Sequence, residues 1–506
     1  MANIDSSGVP RSLNSWKIAG LILAFLTPIA VTTGTFPLLF AFGGPTAAWM
    51  FLAGAVVELF FLYGYARMAQ RIHRPGGFFA YIARGLGKPF GVGAGMVAVV
   101  GYVSGLVAIF AVQPFLFQQV LATLGVTLDW KICSILMLVI VGALSWRNID
   151  LSAKLVGATV VCEFTLLIAL IISIAVHKGG QAFSGAVFAP SVFHHGQWTV
   201  AFVLAFLCFQ GFETGALYAP EAKNPAKDVP RGLYLALGTA TVIFTLVTWV
   251  LISITGVSDL QAKLMSGNPS AFVFNVAQAY LGTAGLKVFS IFVVIASLAS
   301  TLTFTNFTSR YIQSLSAERL LPAIIARKNK HHVPGVAVIA LLVIVVLIDL
   351  GLGSIGLDPY TQISPVGFGL SVTAITVILM LASASVVLFF RGDAARGEDW
   401  RIRVVPVIAT LLLAVALVIE LRSFSYVTGS TDAWLSYLPL AVVLALVGGV
   451  GFALWLRANR PTAYAEIALG DSAEEVAAIH ARRDADARSL QPAQENAAPP
   501  DVIAGS

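Results

Sequence analysis

The sequence predicts an all-α polytopic membrane protein with about twelve transmembrane helices, and three observations carry this. The chain has 506 residues, of which 58% are hydrophobic and 11% charged, a balance that no water-soluble globular domain of this length shows. Its apolar residues fall into runs near the ~20 residues a helix needs to cross a bilayer. Its lysines and arginines gather in alternate loops between those runs.

In chain order the first six runs are Lys17–Phe42, Thr46–Ala66, Val92–Ala122, Trp130–Ser145, Leu151–Val176 and Trp198–Leu217. The remainder are Leu233–Thr255, Leu286–Ser309, Pro334–Gly351, Ile363–Phe390, Val404–Leu421 and Ala433–Leu456. With a cytoplasmic N-terminus, inside segments carry about 21 basic residues and outside segments about five, so the positive-inside rule puts both termini in the cytoplasm. Arg67, Arg71, Arg74, Arg84 and Lys88 fill one inside loop, and Arg310, Arg319, Arg327, Lys328 and Lys330 another.

Those loops explain the net charge of +6, so the partners implied are membrane lipid and a small molecule, with no nucleic acid. The first run is too long for a signal peptide and leads into Phe42-Gly43-Gly44-Pro45 rather than a small-residue cleavage site, so it is expected to be retained. Cys133, Cys162 and Cys208 all fall inside spans, which implies neither disulfides nor a metal centre. The pairs His194-His195 and His331-His332 lack further ligands at metal-binding spacing and read as solvated loop residues. Residues 1–16 form a short cytoplasmic lead. From Arg457 the composition turns to Ala, Glu, Asp, Arg and Pro, which predicts a disordered cytoplasmic tail over 457–506, with a polar helix over Ser472–Arg488 as the alternative.

Two spans carry helix breakers. The sixth ends in Phe209-Gln210-Gly211-Phe212-Glu213, and the first contains Thr32-Thr33-Gly34-Thr35-Phe36, preceded by Pro28. Irregular backbone at membrane depth survives only where it is buried in protein or lines an aqueous cavity. Spans one and six are corresponding members of two five-helix halves, 17–176 and 198–390, followed by two further helices in 404–456. Paired interruptions at corresponding positions point to a binding site between inverted repeats with discontinuous helices 1 and 6. A half-helix starting after Gly34 would aim free N–H groups and its positive dipole end at the gap, while half-helices ending near Thr32 and Phe209 would present free carbonyls. A zwitterion fits between them. The same glycines also permit close helix packing.

The chain resembles the amino acid, polyamine and organocation (APC) superfamily of secondary transporters, and is amino acid permease-like. The resemblance rests on Gly211-Phe212-Glu213 with Glu221-Ala222-Lys223-Asn224-Pro225 and Val229-Pro230-Arg231, on Arg74-Pro75-Gly76-Gly77 with Tyr81 and Gly85-Leu86-Gly87, and on Ser309-Arg310 with Glu318-Arg319 and Leu321-Pro322. It covers roughly Trp16 to Pro334. It implies alternating-access transport of an amino acid or related amine in a cell membrane, plasma or inner, driven by protons or sodium without a cofactor. It assigns the substrate backbone to Thr33, Gly34 and Thr35 and to Phe209, Gln210 and Gly211. Thr32 stands where the family usually has a glycine, so the hydroxyls of Thr32, Thr33 and Thr35 are expected to act as donors, or the ligand lacks a carboxylate. Arg67 replaces a usual acid, and His73 a common proline.

Glu58, Glu163 and Glu213 lie inside spans, where ionisable residues mark functional positions by default. Glu163, eleven residues after Ser152, holds a position that relatives fill with a lysine or an acid near the ion site. It is the first candidate for proton coupling, with a protonated structural role as the alternative. Glu213 follows the break and is expected to brace it. Glu58 reads as structural or coupling-related. Ser297, Thr301 and Thr305 share a face of the eighth helix beside Ser300, and their oxygens, Ser300 and Thr301 foremost, would complete a sodium site with carbonyls near Gly34. Such hydroxyls also bond back to their own helix. Phe36, Phe209, Phe212 and Tyr102 are candidates to cap the cavity or to meet an ammonium with their ring faces. The glycines at 91, 93, 95, 101 and 105 read as helix packing, without the context of a nucleotide motif.

Three classes compete. A proton-coupled amino acid permease explains the breaks, the buried acids and the motifs together. An amine or polyamine carrier, or a sodium-coupled or exchanging amino acid transporter, is the alternative within transport. A membrane enzyme lacks support, since the chain has neither HExxH nor GxSxG. A sensor that keeps the fold without turnover is a further class.

Overall fold

The computed structural model describes residues 12–71, 77–123, 125–147, 153–331, 333–391, 399–428 and 433–467. The first half contains α1 (Ser15–Leu26), α2 (Pro28–Gly34), α3 (Phe36–Leu38), α4 (Ala47–Arg71), α5 (Gly77–Gly85), α6 (Lys88–Thr123), α7 (Trp130–Trp146) and α8 (Ala153–Lys178). The second contains α9 (Trp198–Leu207), α10 (Pro225–Thr255), α11 (Leu260–Ser266), α12 (Phe272–Ala317), α13 (Gly335–Ser354) and α14 (Ser364–Phe389). The chain closes with α15 (Arg401–Val427), α16 (Leu440–Asn459) and α17 (Pro461–Glu466). Among the described residues ten helices are long and apolar enough to cross a membrane, and the shorter apolar helices α7 and α9 complete the predicted set.

The reason is the solvent. In hydrocarbon every backbone polar group needs an internal partner, which a helix supplies within itself. Lipid gives no hydrophobic drive between helices, so close packing decides their arrangement, and the glycine run of α6 serves it. A methyl on Gly93 would lie 2.9 Å from the Leu446 carbonyl, and one on Gly449 would lie 2.7 Å from the Gly93 Cα, which joins α16 to α6 at backbone contact. Gly101 and Gly105 face Ala374 and Ser371 on α14 in the same way.

The segment after the sixth span fastens the start of the first. The N–H groups of Ser12 and Leu13 donate to the Glu221 carbonyl at 3.0 Å, and that of Lys223 donates to the Leu13 carbonyl at 2.8 Å. The Ser15 hydroxyl donates to Asp228 Oδ1 at 2.8 Å, and the N–H of Asn224 donates to Asp228 Oδ2 at 2.9 Å. The motif Glu221–Arg231 thus ties α1 to the end of the sixth span.

The first residues of the predicted tail are helical. The chain remains helical through α17, and Lys88 Nζ donates to the carbonyls of Tyr464 at 3.2 Å and Ala465 at 2.7 Å, holding α17 against α6. The predicted polar helix Ser472–Arg488 lies outside the described residues, as do His73, Ser152 and His332.

Candidate functional site

Both predicted breaks exist, but the first is displaced. α1 ends at Leu26, and Thr27 adopts the left-handed conformation (φ 42°, ψ 74°) before Pro28 opens α2. Proline has no N–H to continue the helix, and its ring clashes with the carbonyl four residues back, that of Ala24. From there the chain stays helical through Gly34: Thr35 has φ −94° and ψ −37° and donates to the Val31 carbonyl at 2.8 Å. The expectation that helix 1 opens at Thr32–Phe36, with a half-helix starting after Gly34, is therefore corrected. Pro28 outranks a glycine whose freedom the backbone does not use.

The second break falls where expected. α9 stops at Leu207, and the N–H groups of Cys208, Phe209 and Gln210 bond back three residues, at 3.2, 3.1 and 2.9 Å, rather than four. Gly211 then takes φ 105°, a conformation that side chains of L-residues rarely adopt. A methyl there would meet the Phe25 ring at 2.1 Å. Phe25 closes α1, so the two breaks touch.

A cavity of about 90 Å³ occupies this junction. Its walls are Phe25, Leu26 and Thr27 at the first break, Ala30, Val31, Gly34 and Thr35 beyond it, and Leu207, Cys208 and Gln210 at the second. Ile109, Val112 and Gln113 of α6, Ser300 and Phe304 of α12, and Phe368 of α14 complete it. The residues after the first break repeat at 27, 30, 31 and 34, which is one face of a helix. That spacing explains which predicted residues reach the cavity and which turn away.

Gly34, Thr35, Gln210 and Ser300 line it; the other predicted site residues whose side chains are described do not. Thr32 is buried off that face, and the Thr33 hydroxyl donates to the carbonyls of Ile29 and Ala30 at 2.9 and 3.2 Å, so of the three threonines expected as donors only Thr35 lines the cavity. Phe36 and Phe209 enter an aromatic cluster with Phe51 and Phe244, with ring centroids 5.2–6.2 Å apart, and Phe212 packs edge-on to Phe61. Gly211 acts by letting Phe25 approach. Tyr102 packs edge-on against Phe307 at 4.8 Å, and Phe307 in turn packs on Phe25 at 5.9 Å, one layer behind the cavity.

The carboxylates separate similarly. Glu163, on α8 and 1% exposed, accepts a hydrogen bond through Oε2 from the Ile29 N–H at 3.2 Å, while its Oε1 has no hydrogen-bond partner among the described residues. It caps the N-terminal end of α2, where a first-turn N–H lacks an intrahelical acceptor and the dipole favours negative charge. Glu163 thus does at the first break what was expected of Glu213 at the second. The side chain of Glu213 lies outside the described residues. Glu58 is buried on α4, away from the cavity lining. The sequence reading missed two buried acids near helix ends. Asp349 on α13 is fully buried, and Glu420 on α15 accepts from the Thr376 hydroxyl at 2.7 Å.

The hydroxyls of Ser300 and Thr301 both donate to the Ser297 carbonyl, at 3.0 and 2.8 Å, and that of Thr305 donates to the Thr301 carbonyl at 2.7 Å. Thr301 does not reach the cavity lining. The Gly34 carbonyl, expected to be open, accepts from the Tyr360 hydroxyl at 2.8 Å. Tyr360 lies in the π-helical turn Pro359–Ile363 that leads into α14, and Phe115 stacks on its ring. Replacing Tyr360 with Phe removes that hydrogen bond, so a destabilisation of about 0.5–1.5 kcal/mol is expected, read as a lower midpoint of thermal unfolding in detergent. An unchanged midpoint would mean that the bond contributes nothing.

Among the cavity residues that sequence reasoning missed are Phe25, Leu26, Thr27 and Gln113. The Thr-Pro pair at 27 and 28 was the available signal, because a residue before proline is driven out of the helical conformation. Among the described residues no group of three or more His, Cys, Asp or Glu is placed to hold a metal ion.

The amino acid permease family matches residues 13–447. The branched-chain amino acid permease BcaP of Lactococcus lactis subsp. cremoris is 26% identical over 334 residues, covering 61% of this chain and 68% of that protein. BcaP of Bacillus subtilis is 23% identical over 355 residues, covering 66% and 74%. The inner membrane transport protein YbaT of Escherichia coli is 24% identical over 372 residues, covering 70% and 81%. With a match that spans most of its length, the chain belongs to the amino acid permease family and is a membrane transporter, not an enzyme.

Proposed function

We propose that this chain carries an amino acid across the cell membrane by alternating access, coupled to protons. The observation that carries the reading is the cavity where two broken helices touch, lined by helix ends and, among the described residues, by no charged side chain. At the first break Pro28 offers no N–H to the Ala24 carbonyl and the Ile29 N–H goes to Glu163 instead of Phe25, so carbonyls at the end of α1 are free to meet an ammonium. Ala30, in the first turn of α2, also lines the cavity, and a first-turn N–H there suits a carboxylate. The names of the relatives support an amino acid as substrate.

A polyamine is less well served. A carrier for a multiply charged cation gains most from carboxylates in its cavity, and among the described residues the acid bonded to the first break, Glu163, stands outside the lining. Proton coupling follows from that position. The ionised carboxylate binds the Ile29 N–H and the positive end of α2 more tightly than the neutral acid does. Loading a proton therefore loosens the brace at the break, which lets proton occupancy bias the cavity between its two openings. In this reading the halves 17–176 and 198–390 move as inverted repeats, with both termini cytoplasmic.

The test is uptake by purified protein in sodium-free liposomes, offered labelled amino acids and amines with and without acid outside. Accumulation of an amino acid above equilibrium, only with the acid gradient, is the expected result. Accumulation that ignores the gradient and requires sodium would overturn the proton assignment, and accumulation of amines alone would overturn the substrate class.

A further inference from the structure

Two amide side chains in the cavity keep unused hydrogen-bonding capacity. Gln113, on α6, is 7% exposed, lines the cavity, and has no partner for its Oε1 among the described residues. Gln210, at the second break, lines the same cavity; its Oε1 accepts from the Ser371 hydroxyl at 3.4 Å, while its Nε2 has no partner among the described residues. Ser371 reaches that position because Gly105 of α6 lacks a side chain, a methyl there lying 2.9 Å from the Ser371 oxygen. One acceptor and one donor thus share a cavity whose other walls include Ile109, Val112 and Phe368. Buried polar groups in native proteins are paired, and those that are not await an explanation.

Resting on the amino acid transport reading above, we infer that Gln113 and Gln210 together select the substrate's side chain. They favour a small neutral one that both donates and accepts a hydrogen bond, a carboxamide or a hydroxyl, over an aliphatic one of the same shape. The helix ends at the first break serve the ammonium and carboxylate common to all amino acids, so the two amides are left for what distinguishes them. An aliphatic side chain would expel water from both amides and return no hydrogen bond, and a site built around polar groups rejects analogues that leave them unpaired. A carboxamide or hydroxyl meets the acceptor of Gln113 and the donor of Gln210 at once.

The experiment uses the full chain in liposomes and compares near-isosteric pairs, asparagine with leucine and threonine with valine, as competitors of labelled uptake. The polar member of each pair is expected to compete at least about tenfold better. In Gln113→Leu, which keeps the side chain's size, that ratio should fall to near one, with uptake of leucine rising. Because the wild-type ratio needs no variant, a Gln113→Leu protein that fails to fold leaves the inference testable. Leucine or valine competing as well as or better than its polar partner would overturn the inference alone, as would an unchanged ratio in a folded Gln113→Leu. Absence of uptake for every amino acid would overturn the transport reading and this inference with it.

Discussion

Replacing Gly211 with alanine is expected to abolish amino acid accumulation, whereas replacing Gly34 with alanine is expected to leave a folded, active carrier. At Gly211 the backbone has φ 105° and the new methyl would lie 2.1 Å from the Phe25 ring. Phe25 has little room to yield, since it packs against Phe304 and Phe307 with centroids 5.4 and 5.9 Å away. Strained backbone and forced repacking together amount to about 2–6 kcal/mol. At Gly34 the backbone is helical, and a methyl would touch Leu116 and Val112 at 3.5 Å, an ordinary contact. Alanine also favours a helix over glycine by about 1 kcal/mol, while its methyl narrows the cavity slightly. Uptake by Gly34→Ala should therefore show a KM raised a few-fold and a maximal rate near that of the wild type. Because Gly211→Ala can lose activity simply by misfolding, the double variant Phe25→Leu/Gly211→Ala is the control: a smaller side chain at 25 should recover thermal stability. If Gly34→Ala were inactive as well, the first break would lie where the sequence alone suggested, and an active Gly211→Ala would contradict the second.

The second large effect is expected at Glu163, where two substitutions separate two roles. Glu163→Ala removes the acceptor of the Ile29 N–H, and an unpaired buried donor costs about 1–3 kcal/mol, so both stability and transport should suffer. Glu163→Gln keeps an acceptor oxygen of the same reach but cannot take up a proton. It should fold with a near-normal midpoint and exchange substrate across the membrane. It should also lose accumulation driven by acid outside, so that uptake becomes flat across pH where the wild type rises as the outside pH falls. Acid-driven accumulation that survives in Glu163→Gln would assign the proton to another group. Glu420 is the next candidate, being buried and held only by the Thr376 hydroxyl among the described residues.

What was legible from the chain was the architecture, because bilayer physics is coarse. Runs of apolar residues, basic loops and two clusters of helix breakers each leave marks that single residues cannot hide. The place of the second break was also legible, since Gly211 is needed for its backbone conformation. The first break was misread because Gly34, in a run of threonines, looked more permissive than the Thr27-Pro28 pair ahead of it. A proline acts by what it forbids, and in α2 it forbids the bond that would have joined two helices. From that seven-residue displacement the errors at the site follow. Thr32, Thr33 and Phe36 rotate away on a continuous helix, and the Gly34 carbonyl goes to Tyr360, 326 residues distant in sequence. Gln113 was invisible for a different reason: nothing local sets it apart from Gln118 and Gln119 on the same apolar helix, and only the fold brings it to the cavity that Gln210 lines.

The most direct test is a cryo-electron microscopy map of the full chain in lipid nanodiscs with its transported amino acid. Ligand density is expected between Thr27 and Gln210, with its ammonium toward the end of α1 and Gly211 still against Phe25. Straight, uninterrupted first and sixth helices, or density bound elsewhere while this junction stays empty, would contradict the account.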